Sequence, residues 1–171
     1  PEQPGGETPE ERLTDWVLTP LADITTNDLV VITMTKGETT WAMTNNNGTS
    51  AAPAAPVVTL SADALAAEPD ANLKWVVSND NGTLTIYPYG DYETWLYCTN
   101  TNNGVRVGNG DAKEFTIDTD HLYTTLTTNP RYLGVYDGAN WRCYTSINSN
   151  IKDQALAFFV KKNANDILPG T

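Results

Sequence analysis

Hydrophobic residues occur along this chain in short runs that are separated by polar turn sequences. The turns include "NNNG", "NDNG", "TNNG", "GNGD" and "YDG", which supply the Asn, Asp and Gly residues that reverse the direction of a chain. A 3.6-residue apolar period persists almost nowhere. The one stretch that favours a short helical turn is "SADALAAEPDA" at 61–71, with Ser61 as its cap and Pro69 at its end. The pattern therefore predicts an all-β chain.

The predicted strands repeat in three similar blocks of four strands each. The first strands begin with the same residue type, at Leu29, Leu84 and Leu122. The second strands open with a large aromatic side chain 10 to 12 residues later, at Trp41, Trp95 and Tyr132. The third strands begin at Val57, Val105 and Trp141. The fourth strands each carry an aromatic residue that we predict to be core, at Trp75, Phe115 and Phe158.

Three blocks of four strands are the strand count of a β-trefoil. In that fold the first and fourth strands close a six-stranded barrel, and the middle strands form hairpins that cap it. Closure would remove the sheet edges that an all-β chain must protect. The segment "DWVL" at Trp16 is an additional copy of the fourth-strand pattern, so it either lies outside the barrel or the frame of the blocks is shifted. A β-sandwich is the alternative fold.

The chain has the length of one domain, 171 residues, and its ends differ in composition from its middle. Residues 1–12 are rich in Pro, Gly and Glu, which predicts a flexible tether. We expect a single domain at 13–162, a tail at 163–171 and a monomeric protein. The 25 Thr and 17 Asn residues favour strands and turns over helices.

The net charge of the chain limits the classes of partner that it is expected to bind. Its formal net charge of -11 makes nucleic acids and anionic lipid surfaces poor partners, because both repel an acidic protein. No segment approaches the roughly 18 consecutive apolar residues of a membrane-spanning helix. We therefore expect no nucleic-acid partner and no membrane-spanning segment.

Residues suited to catalysis or metal binding are sparse. A serine or cysteine nucleophile needs a base, and His121 is the one histidine of the chain. It sits in "DTDHLY" and is predicted to lie on a surface turn. Cys98 and Cys143 are far apart and lack metal-site spacing. They are either one disulfide or two buried thiols. We expect no catalytic residues, no metal and no cofactor.

The stretch "YPYGDYETWLYC" at 87–98 contains five aromatic residues in a chain with an aromatic content of 9%. An exposed aromatic ring stacks on the apolar face of a sugar, while a nearby Asp or Asn binds hydroxyl groups. Trp95 and Tyr132 are predicted to be core, because they open repeated strands. Two clusters of loop residues are predicted ligand-binding sites: Tyr89, Asp91, Tyr92, Asn100 and Asn102 in the second block, and Tyr136, Asp137, Asn140 and Trp141 in the third.

Three segments carry a resemblance to known proteins: "DWVLTPLADITTNDLVVI", "WLYCTNTNNGVRVG" and "RYLGVYDGANWRCYTSINSNIKDQALAFFVKK". Over about residues 13 to 162 the chain resembles β-trefoil-like modules of secreted or surface-anchored proteins, lipoproteins included, from gut commensal bacteria. The resemblance implies an extracellular or cell-surface location, and it brings no set of catalytic residues.

Two functions follow as expectations. The first is a non-catalytic extracellular module that binds carbohydrate through its aromatic loops. The alternative is a protein-interaction module, adhesin-like or inhibitor-like, that presents the projecting loop "TNNNGTSAAPAAP" at 44–56 to a partner protein.

Overall fold

The computed structural model describes residues 12–163 and 167–169, and it confirms the all-β class. Apart from two single turns of 3-10 helix, at Leu21–Asp23 and Ala71–Leu73, the regular structure of this part is β. Its strands are β1 (Val17–Leu18), β2 (Leu29–Lys36), β3 (Thr39–Ala42), β4 (Val57–Val58), β5 (Leu60–Ser61), β6 (Ala64–Leu65), β7 (Trp75–Asp80), β8 (Thr83–Pro88), β9 (Trp95–Cys98), β10 (Val105–Gly108), β11 (Glu114–Asp118), β12 (His121–Thr124), β13 (Arg131–Tyr136), β14 (Asn140–Tyr144) and β15 (Ala155–Lys161).

Six of these strands form a nearly closed, barrel-like sheet. Antiparallel ladders join β15 to β2, β2 to β7, β7 to β8, β8 to β11 and β11 to β12. Between β12 and β15 the backbone N–H of Leu156 donates to the carbonyl oxygen of Asp120 at 2.9 Å. Most of the backbone polar groups that an open sheet would expose are therefore paired.

Three hairpins, β3–β4, β9–β10 and β13–β14, extend from this sheet and contact one another. Backbone bonds join each hairpin region to the other two: Trp141 N–H to the Pro53 carbonyl at 2.9 Å, Val107 N–H to Gly48 at 3.1 Å, and Cys143 N–H to Asn102 at 2.9 Å. Loops far apart in sequence are thereby brought together.

The main core contains the inward residues of the barrel strands. Trp75, Phe115 and Phe158 are at most 2% exposed, which confirms their predicted core role. Trp95 and Tyr132 are only half-buried, so the prediction that they are core is wrong for these two. They open strands of the hairpins, outside the barrel interior.

A second, smaller core lies on the outer face of the barrel sheet. Trp16 is fully buried there and packs in one cluster with Val31, Leu65 and Phe159. Strand β1 pairs with β15, Val17 opposite Val160 and Leu18 opposite Phe159, so the "DWVL" segment adds a strand to the edge of β15 opposite β2. Val31 and Phe159 sit between residues of the main core, and this explains why "LVVI" and "AFFV" are continuously apolar rather than alternating.

The predicted helical turn at 61–71 is wrong. Strands β5 and β6 form a tight hairpin here, with Ala62 in the left-handed region at a φ of 55°. Leu65 on β6 is buried in the outer core, and its packing overrides the weak local preference of an alanine-rich segment for helix. The one helical turn nearby is the 3-10 turn at Ala71–Leu73.

The predicted tether and tail are described in part. Residues 1–11 of the tether lie outside the described residues, whereas Arg12 forms an ion pair with Asp63 at 2.6 Å. In the predicted tail, Leu168 is buried and its N–H donates to Asn27 Oδ1 at 3.1 Å.

Candidate functional site

A cleft of about 280 Å³ lies between the loop that follows β3 and the loop that joins β8 to β9. Tyr89 and Asp91, two of the predicted site residues, line it together. Asn45 and Asn46 line the other side, and Thr94 completes the polar part of the wall. The cleft thus combines an aromatic ring with a carboxylate and amide groups.

Tyr89 supplies the aromatic surface of this cleft. It follows the last residue of β8, and its side chain is 45% exposed. Its backbone N–H donates to the Lys74 carbonyl at 3.1 Å, and the Lys74 ammonium lies 5.7 Å from the ring centroid. Lys74 is itself paired with Glu68 at 3.2 Å, so the ring sits beside a positioned cation.

Asp91 is exposed and its carboxylate is oriented by its own loop. Oδ1 accepts the backbone N–H of Glu93 at 3.2 Å, and Oδ2 accepts the Thr94 hydroxyl at 3.1 Å. Each oxygen has a further lone pair available for a hydroxyl donor. The local turn thus holds a hydrogen-bond acceptor in a defined position beside Tyr89.

Asn45 and Asn46 belong to the site but are absent from the sequence prediction. The Asn45 amide donates to the carbonyls of Ala71 and Lys74, at 3.0 and 2.8 Å, which fixes this loop against the chain before β7. Asn46 next to it is exposed. The only sequence signal was the run "NNNG", which typifies a turn whatever its function.

Tyr92 belongs to a neighbouring aromatic cluster. The Tyr87 ring meets Tyr92 and Trp95 edge to face, with centroids 6.4 and 6.5 Å apart. Burial raises the pKa of the Tyr92 phenol above its usual value. Tyr92 thus supports the loop that carries Tyr89.

Asn100 and Asn102 lie at the far end of the β9–β10 hairpin, away from Tyr89. Asn100 Oδ1 accepts the backbone N–H of Thr128 at 2.8 Å, and Asn102 Oδ1 accepts Arg131 Nη1 at 3.0 Å. Both side chains therefore bind neighbouring segments of the protein, and the structure does not bring them together with Tyr89 and Asp91.

The second predicted cluster is brought together only in part. Asp137 lies in the left-handed region, at a φ of 52°, in the tight turn between β13 and β14. The Arg142 guanidinium covers the Tyr136 ring at 4.3 Å and donates to Asn140 Oδ1 at 3.1 Å. The prediction of Trp141 as a ligand-binding residue is wrong. Its side chain is 0% exposed, and a ring with no solvent exposure cannot stack on a sugar.

The loop predicted to project toward a partner protein is folded against the hairpins. Ala52, Pro53 and Ala55 are buried, and Thr44 and Ala54 are joined by a backbone bond of 3.1 Å. The expectation of a projecting loop at 44–56 is therefore wrong for residues 52–55, which pack between β3 and β14, whereas Thr49, Ser50 and Ala51 are exposed.

His121 is also placed differently from its prediction. It is 1% exposed, not on the surface, and its ring nitrogens lie 2.7 Å from the Thr119 carbonyl oxygen and 2.8 Å from that of Ile151. It ties the β11–β12 turn to the segment before β15. Its position is structural, and it does not line the cleft of Tyr89 and Asp91.

Replacing His121 with alanine is expected to lower the free energy of unfolding by about 2 kcal/mol, because a buried carbonyl oxygen loses its hydrogen-bond donor and the ring leaves a cavity. Urea denaturation followed by circular dichroism measures the change. Lys152→Ala, at an exposed neighbouring position, is the matched control and should stay within about 0.5 kcal/mol of wild type. Equal stabilities of the two variants would contradict the structural role.

Three further observations concern metal binding, membrane-spanning helices and similarity to known proteins. Within residues 12–163 and 167–169, no three His, Cys, Asp or Glu side chains are grouped in a way that could hold a metal ion. In this same part of the chain, the helical turns are too short to cross a membrane. Comparison with known proteins found no matching family model and no matching curated protein.

Proposed function

We propose that this chain is a non-catalytic extracellular module that binds carbohydrate in the cleft between residues 45–48 and 88–94. One observation carries the proposal: the exposed ring of Tyr89 lines the same cleft as the oriented carboxylate of Asp91 and the amides of Asn45 and Asn46. A sugar presents C–H groups on one face and hydroxyls around its edge, which matches an aromatic surface flanked by hydrogen-bonding groups. At about 280 Å³, the cleft has room for one or two sugar units.

The net charge of the chain disfavours one class of glycan, the anionic sugars. With a net charge of -11, the protein repels sulfated, phosphorylated and sialylated sugars at low ionic strength. The ammonium of Lys74 is already paired with Glu68. The proposed ligands are therefore neutral or amino sugars.

We also propose that the barrel is a β-trefoil. Its blocks would be β2–β3–β4–β7, β8–β9–β10–β11 and β12–β13–β14–β15. In support, the six first and fourth strands are the ones joined around the barrel-like sheet, and the middle strands pair as three hairpins that contact one another. A location on the surface of a gut commensal bacterium, or secreted from it, agrees with the resemblance of residues 13 to 162.

A glycan array with wild type and Tyr89→Ala tests the proposed function. We expect wild type to bind neutral or amino sugars and Tyr89→Ala to bind the same sugars at least about 10-fold more weakly, because it loses the stacking surface. Tyr136→Ala is the matched control, since Tyr136 belongs to the other loop cluster and should leave binding unchanged. No bound glycan, or equal affinity of Tyr89→Ala and wild type, would overturn the proposal.

A further inference from the structure

The two cysteines lie together although 44 residues separate them in the sequence. Cys98 ends β9 and Cys143 lies in β14, so they belong to different hairpins. They are 4% and 0% exposed, both are free thiols of the main core, and the Cys143 sulfur lies 3.2 Å from the carbonyl oxygen of Thr101, three residues after Cys98. A hydrogen bond of 2.9 Å from the Cys143 N–H to the Asn102 carbonyl oxygen joins the two hairpins beside the cysteines.

The surroundings of Cys143 are polar and positively charged. Its thiol donates to the Thr101 carbonyl oxygen at 3.2 Å. Arg131, 5% exposed, donates from Nη1 to the Cys143 carbonyl oxygen at 2.9 Å and to Asn102. Its Nε has no hydrogen-bond partner, and among the described residues no carboxylate forms an ion pair with it. A buried positive charge therefore lies beside the backbone of Cys143, and it acts on both thiols.

These surroundings give the two thiols different acidities. The hydrogen bond from Cys98 holds the pKa of the Cys143 thiol below its usual value, and Arg131 and Arg106 act in the same direction. Burial raises the pKa of the Cys98 thiol well above its usual value. Cys143 is consequently the sulfur that loses its proton first, and Cys98 remains the hydrogen-bond donor.

We propose that Cys98 and Cys143 are a redox site that forms an intramolecular disulfide by exchange with a small-molecule disulfide such as oxidised glutathione. The Cys143 thiolate attacks one sulfur of that disulfide, whose S–S bond breaks and releases one thiolate. Cys98 then gives up its proton and attacks the Cys143 sulfur of the mixed disulfide, releasing the second thiolate. Two electrons pass to the small disulfide, and the two protons of the cysteines end on its two thiol products.

The turn at residues 99–104 controls access to this site. Thr101, Asn102 and Asn103 are exposed, and the turn covers Cys143 through the Thr101 carbonyl. Since Cys143 itself has no exposed surface, a small disulfide reaches it only when this turn opens. Once formed, the Cys98–Cys143 bond would join the β9–β10 hairpin covalently to β14.

Intact mass spectrometry of the wild-type chain after incubation with oxidised glutathione tests the proposal. We expect a loss of two hydrogens, a peptide pair that joins Cys98 to Cys143, and a Tm about 10 °C above that of the reduced protein, as for a cross-link that closes a loop of this length. The double variant Cys98→Ala, Cys143→Ala should show no mass change and no shift in Tm. Unchanged mass over a full range of glutathione ratios, or disulfides only between chains, would overturn the proposal.

The order of attack has its own readout. Cys98→Ala should accumulate one glutathione on Cys143, whereas Cys143→Ala should accumulate it on Cys98 at least about 10-fold more slowly. Without Cys98, the Gly104 backbone N–H, Arg131 and Arg106 still lower the pKa of the Cys143 thiol, whereas burial raises the pKa of the Cys98 thiol. Circular dichroism of both reduced variants establishes that they are folded. Equal rates of glutathione addition would overturn the assignment of Cys143 as the attacking sulfur.

Discussion

Replacing Trp16 with alanine is expected to lower the free energy of unfolding by about 3–5 kcal/mol, because a fully buried indole leaves a cavity in the outer core. The indole contacts a cluster formed by β2, β6 and β15, so its loss weakens the attachment of three separate strands. Its Nε1 also donates to Glu68 at 3.0 Å. Urea denaturation followed by far-ultraviolet circular dichroism measures the change.

The control is Trp16→Phe, which keeps most of the apolar volume and loses the hydrogen bond to Glu68. Its expected cost is about 1 kcal/mol, the usual contribution of one hydrogen bond. A single unfolding transition in both variants would establish that the outer core unfolds together with the barrel. A separate early transition in wild type, or a cost below about 1 kcal/mol for Trp16→Ala, would show that the Trp16 segment is only loosely attached.

The strands of the barrel could be located from the sequence because their signals are local. Turn residues mark their ends, and Trp75, Phe115 and Phe158 recur at equivalent places in the three blocks. A large aromatic in a strand that must bury one face goes to the core in each block, as their exposures of at most 2% confirm. Because an aromatic residue recurs in the fourth strand of all three blocks, its core position can be predicted more reliably than from one block alone.

The outer core was harder to predict because its evidence is nonlocal. Val31 and Phe159 made two runs continuously apolar, a pattern that is typical of strands buried on both faces. Nothing in those runs says which segment covers the second face. The cover comes from Trp16 and from Leu65, and the latter sits in the segment that was predicted to be a helical turn.

The candidate site shows the same limit. Tyr89 and Trp141 are both aromatic residues next to Gly- and Asp-containing turns, yet one is 45% exposed and the other fully buried. Their difference depends on strand register, since Tyr89 follows the end of β8 whereas Trp141 lies within β14 opposite Val135. Asn45 and Asn46 reach the cleft from a loop more than 40 residues earlier in the chain, and no local pattern connects them to it.

Trp141→Ala is the second substitution with a large expected effect, a loss of about 3–5 kcal/mol in the free energy of unfolding. The indole is fully buried in the main core, and its Nε1 donates to the Ala42 carbonyl oxygen at 3.0 Å. It therefore joins β14 to the end of β3, in addition to filling space between two hairpins. Chemical denaturation of wild type and variant measures the loss.

Two matched variants separate this structural role from ligand binding. Trp141→Phe should cost about 1–3 kcal/mol, because the Ala42 carbonyl is left without its donor in a buried place. Tyr89→Ala, at an exposed position, should change stability by no more than about 0.5 kcal/mol while it weakens glycan binding. If Trp141→Ala instead kept wild-type stability and lost glycan binding, Trp141 would be a ligand contact, and its ring would have to be exposed to solvent. Because the two aromatic residues are expected to affect different measurements, one set of three variants distinguishes the core of this protein from its binding surface.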